Sequence, residues 1–108
     1  MNTNEYLAKT KNALGIQSDY ALAQHLGVTR SAVSKLQKGM TLMGDETAIR
    51  VADILKMPRA AVLADVYAER EKNPEIAAVW RSVWEKFSVG FDYLLSGGLP
   101  HGALRFMR

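Results

Sequence analysis

The polar side chains whose spacing could do chemistry cluster in Thr29-Arg30-Ser31-Ala32-Val33-Ser34-Lys35-Leu36-Gln37-Lys38. Read as a helix, this stretch puts Val33 and Leu36 on one side and leaves Arg30, Ser31, Ser34, Lys35 and Lys38 on or near the other. That outer side is basic and hydroxylated and carries no acid. Its chemistry is recognition: cations for an anionic partner and hydrogen-bond donors for polar edges. Arg30 has the strongest claim to reading, because a guanidinium fork grips two acceptors together, such as guanine O6 and N7. No catalytic or metal constellation appears elsewhere. The chain has no cysteine. His25 and His101 have no neighbouring acid in metal-ligand spacing, Gly97-Gly98 is too short a signal for a nucleotide, and no Ser/His/acid set occurs. The expectation is a non-enzyme without metal or cofactor.

Such a face has to be held by a partner helix. Asp19 to Leu26 and Arg30 to Lys38 read as two short helices joined by Gly27-Val28-Thr29, with Ala23, Val28, Val33 and Leu36 spaced to meet across the turn. Ser18 can cap the first helix and Thr29 the second by accepting from N–H groups of the first turn. Gly27 ends the first helix where the chain must turn sharply, with positive φ. Ala23 stands where the helices approach closely, so a larger residue there would part them. The layout is that of a helix-turn-helix.

On these residues (Ala23, Gly27, Val28, Thr29, Val33 and, after the second helix, Gly39) the chain resembles the Cro/C1-type (Xre-like) family of phage and bacterial helix-turn-helix regulators, over roughly residues 4 to 69. Its small size and aromatic C-terminal segment also look like phage-encoded or prophage-encoded proteins of this type. The chain departs from the family at the first position, often a phosphate-contacting Gln, where Asp19 would repel a phosphate; that contact passes to Ser18, Tyr20 or a backbone N–H. The resemblance implies an all-α, five-helix, lambda-repressor-like bundle to which this chain adds an aromatic C-terminal helix. It also implies a sequence-specific regulator of transcription, more a repressor than an activator, that binds double-stranded DNA as a homodimer on a palindromic operator. The Arg30 to Lys38 helix would enter the major groove, with Arg30, Ser31, Ser34 and Lys35 reading bases. Ser18, Tyr20, Thr29, Lys38 and Thr41 would contact phosphates. Each serine, and Thr41, reads equally as a solvent-facing hydroxyl.

Around this pair the chain supplies supporting helices. Thr3 or Asn4 can cap a helix ending near Leu14, with Tyr6, Leu7, Ala13 and Leu14 inward, and Thr10 bonding back to the preceding turn. Gly15 stops it, and Ile16 follows as a core plug. Met40 to Gly44 is a loop resting its apolar side chains on the bundle. Asp45 can cap a helix from Glu46 to Lys56, inward at Ala48, Val51, Ala52 and Leu55, with Arg50 and Asp53 sharing a face as surface or inter-helix support. After Met57-Pro58, a helix from Arg59 to about Lys72 buries Val62, Leu63 and Val66 and part of Tyr67.

Pro74 can start a further helix, in which Ala77, Trp80, Trp84, Phe87, Phe91 and Leu94 form an aromatic stripe and Ile76, Val79 and Val83 a second apolar one. Three occupants fit it: the core of its own bundle, the same helix of a second chain (or both, one per stripe), or a membrane surface or a different protein. Trp80, Trp84, Phe87, Phe91 and Leu94 are the candidate interface. The division is 1–72 for the DNA-binding domain, 73–95 for this helix and 96–108 for a flexible tail, where Arg105 and Arg108 could touch a phosphate.

The chain has 108 residues and a net charge of +3. Residues 1–38 carry five Lys or Arg against two acids, residues 39–72 five against six, and residues 73–108 four against three, so positive charge concentrates with the reading helix. The opening residues lack the apolar core of a signal peptide, and no run is long enough to span a bilayer, so the expectation is a cytoplasmic protein, nucleoid-associated when on DNA. A different class also fits: an adaptor that uses the aromatic helix to capture a phage or host protein.

Overall fold

Helix boundaries in the computed structural model, which describes the backbone of residues 1–95 and the side chains of residues 1–86, follow the local capping chemistry. Six α-helices form, and the described residues contain no strand: α1 Thr3–Leu14, α2 Asp19–Leu26, α3 Arg30–Gln37, α4 Asp45–Leu55, α5 Arg59–Arg70 and α6 Pro74–Leu95. At α1 the cap is Asn2, not Thr3 or Asn4. Its Oδ1 accepts from Glu5 N at 2.9 Å while Glu5 Oε1 accepts from Asn2 N at 3.2 Å, a reciprocal box that satisfies two otherwise free donors. The shift frees Thr3 to turn inward, where its buried hydroxyl donates to Glu69 of α5 at 2.5 Å. At α4 the cap is Gly44, with no side-chain bond, and Asp45 lies inside the first turn. There it accepts from the Tyr67 hydroxyl at 3.2 Å and suits the positive end of the helix dipole. This helix stops at Leu55, and α5 stops at Arg70, both short of the sequence expectation.

The core is made of Tyr6 and Leu7 from α1, Leu22, Ala23 and Leu26 from α2, Val33 and Leu36 from α3, Met43, then Ala48, Val51 and Ala52 from α4 and Val62 and Val66 from α5. The inward face of α1 is Thr3, Tyr6, Leu7 and Thr10; Ala13 is exposed and Leu14 half-buried. Thr10 donates to the Tyr6 carbonyl at 2.7 Å, so its hydroxyl is satisfied inside the core. Leu63 is half-buried, and the inward positions of α5 include Asp65 instead. In the loop after α3 only Met43 enters the core; Met40 is 68% exposed and Leu42 38%.

α6 lies along α5. Ala77 is buried, the Trp80 ring meets Tyr67 edge-on at 5.0 Å and 73°, and Trp84 Nε1 donates to the Tyr6 hydroxyl at 3.0 Å. Tyr6 in turn donates to buried Asp65 at 2.7 Å, and the Met1 ammonium lies 2.5 Å from the same carboxylate. Burial first, and the bond to Asp65 second, push the Tyr6 hydroxyl far above its ordinary pKa, so it stays protonated. The first half of the aromatic stripe therefore completes its own bundle. Ile76 and Val79 of the second stripe stay exposed. Phe87, Phe91 and Leu94, as side chains, and residues 96–108 with Arg105 and Arg108 lie outside the described residues. No described helix is long and apolar enough to cross a membrane.

Candidate nucleic-acid interface

The face of α3 is set by what lies beneath it. Val33 and Leu36 are buried against the bundle, so the helix can rotate little, and Arg30, Ser31, Lys35 and Lys38 are left exposed with Ser34 half-buried between them. Together with Met40 they line one open concavity of about 500 Å³. The expected reading residues and Lys38 are thus brought together on a single surface. Thr29 caps the helix: its Oγ1 accepts from Ala32 N at 3.0 Å, which leaves the hydroxyl hydrogen free to donate outward. The α3 N-terminus therefore combines a hydroxyl donor, unpaired first-turn N–H groups and Arg30, an arrangement suited to an anion.

The α2–α3 turn is held as the sequence predicts and also by Arg50 of α4, which the sequence offers as surface or inter-helix support. Gly27 has φ +68°. A Cβ there would stand 2.8 Å from Nη1 of Arg50, whose guanidinium lies over the turn from α4. Ala23 is buried between the helices, while Val28 packs half-buried on the core. Asp53, expected on the same face as Arg50, turns instead to Arg59, with its two oxygens 3.0 and 2.9 Å from the guanidinium.

Ser18 caps α2 by accepting from Ala21 N at 3.0 Å. Tyr20 is 60% exposed, its hydroxyl accepting from Gln24 Nε2 at 3.0 Å. Thr41 is exposed in the loop after α3. These three line no part of the α3 concavity.

Asp19 is engaged within the chain. Its Oδ1 accepts from Lys11 Nζ of α1 at 2.7 Å and from Gln37 Nε2 of α3 at 3.0 Å, and these bonds hold its carboxyl below the usual carboxylate range. One carboxylate thus ties α1, α2 and α3 together.

Protein-family models, curated proteins and solved structures give no match to this chain. Met40, Lys11 and Gln37 were missed as contributors. Met40 carried a usable signal, a large apolar residue directly after the glycine that ends α3. The other two act through Asp19, a partner that no local pattern shows. Among the described residues no group of three His, Cys, Asp or Glu could hold a metal ion. A second concavity, about 350 Å³ between α1, α5 and α6, is lined by Glu5, Asp65, Glu69 and Glu85 with Arg81 and Trp84, and its charge is unsuited to a polyanion.

Proposed function

We propose that the chain is a sequence-specific double-stranded DNA-binding regulator of transcription, a repressor that binds a palindromic operator as a homodimer, with α1 to α5 in the lambda-repressor-like arrangement. One observation carries this reading: α3 presents Arg30, Ser31, Ser34, Lys35 and Lys38 in a single acid-free concavity behind a threonine-capped N-terminus. In this reading α3 enters the major groove. Arg30 takes guanine O6 and N7, Ser31, Ser34 and Lys35 reach neighbouring base edges, and Thr29 and Lys38 hold the phosphates. Ser18, Tyr20 and Thr41 are outlying backbone contacts. Neutralisation of Asp19 by Lys11 supports the reading, because it removes the acid that would oppose a phosphate at the start of α2.

One reading helix covers only a few base pairs, so useful specificity calls for two copies about one DNA turn apart. The experiment is a selection from a random duplex library with the full chain at near-physiological salt. The expected result is an enriched palindrome whose half-site spacing reports the separation of the two α3 helices. A folded sample that enriches no motif removes the reading, and a stable heterocomplex formed without DNA would favour the adaptor instead.

A further inference from the structure

We infer that two copies of this chain associate through α6 in antiparallel register, along Ile76, Val79 and Val83, with Glu75 of each copy paired to Lys86 of the other. The inference deepens the dimeric part of the proposed function and moves the contact away from the tryptophans. At 100° per residue, Ala77, Trp80 and Trp84 share one side of α6, and that side is turned to Tyr67 and Tyr6 of the same chain. Ile76 and Val79 point elsewhere and are 45% and 60% exposed, against 4% for Ala77. Val83, half-buried, continues their line at the margin of the bundle. The steps from Ile76 to Val79 to Val83 to Lys86 are three, four and three residues, the spacing of a helix seam.

The charges at the ends of this line select its occupant. Exposed Glu75 stands at one end and exposed Lys86 at the other, separated by about 16 Å of helix. A parallel copy would set glutamate beside glutamate and lysine beside lysine. An antiparallel copy sets Val79 against Val83 and lays the Lys86 stem over Ile76 of the other copy, with its ammonium toward Glu75. Two-fold symmetry makes each contact twice, so the surface is complementary to itself.

The test is light scattering of the full chain without DNA, with helix content followed by circular dichroism. The wild-type chain should show twice its 12.0 kDa mass. Glu75→Lys and Lys86→Glu, both at exposed positions, should each weaken self-association roughly tenfold by setting like charges together. An equimolar mixture of the two variants should regain the wild-type association, because the mixed pair restores both contacts. The seam is overturned by a monomeric wild-type chain, by single variants that associate like wild type, or by a mixture that gains nothing. A monomer that still selects a DNA motif sinks this seam alone, whereas a dimer of this kind that selects none sinks the DNA reading alone.

Discussion

Asp19 illustrates how one side chain can tie three helices together while its own charge is neutralised within the chain. Its bonds to Lys11 and then Gln37 hold its carboxyl below the ordinary value of 3.8. A carboxyl depressed in the folded state contributes stability above its unfolded pKa and loses it as pH falls through the folded one. Asp19→Asn should therefore cost stability at pH 7, and the gap to wild type should close as the pH is taken below 3.8. Urea unfolding at a series of pH values checks this; a gap that stays constant into acid would refute the clamp. Arg30 belongs to the same scale. Arg30→Ala should relax preference at one base position by about 1 to 3 kcal/mol while leaving the other positions as they were. Binding profiles against single-base operator variants measure it, and an unchanged profile removes Arg30 from the reading set.

At the scale of elements, the junction of α1, α5 and α6 is a polar node inside an apolar core. Trp84 donates to Tyr6, and Tyr6 donates to Asp65. Tyr6→Phe keeps the ring and removes both bonds, leaving the indole N–H without its acceptor and a buried carboxylate one donor short. The expected loss is about 1 to 3 kcal/mol in chemical denaturation. Trp84→Phe should cost less once Tyr6→Phe is present than in the wild-type background, because the shared bond is already gone. Strictly additive losses would show that the node acts only through packing. The helices themselves were legible to within a residue or two at their ends. The cap of α1 differed because Thr3 is bonded to Glu69, 66 residues away, a partner that no local cap pattern reveals.

For the molecule as a whole, charge is the operative variable. Lys35, Lys38 and Arg30 share one concavity, while Glu5, Asp65, Glu69 and Glu85 gather in another between α1, α5 and α6. Affinity for duplex DNA should fall linearly in a plot of log affinity against log salt, and Lys38→Ala should lower the slope by about 1 without altering the selected motif. Filter or fluorescence titrations at several salt concentrations decide this. An unaltered slope would place Lys38 off the phosphate backbone, and an altered motif would make it a reader.

The sequence by itself determined the α2–α3 pair and its outward face. The signals are local: Ser18 and Thr29 cap, Gly27 takes positive φ, and Val33 and Leu36 recur at helical spacing, each acting within a turn of its own position. It also determined that α6 carries two apolar stripes. Which stripe the bundle covers was a tertiary decision, since periodicity treats both alike. The tryptophan side wins because Tyr67 and Tyr6 offer it a ring edge and a hydroxyl. The burial of Asp65 and the neutralisation of Asp19 were decided in the same way. A charge can be held in those places only when donors distant in the chain arrive beside it, and their arrival depends on how the helices pack.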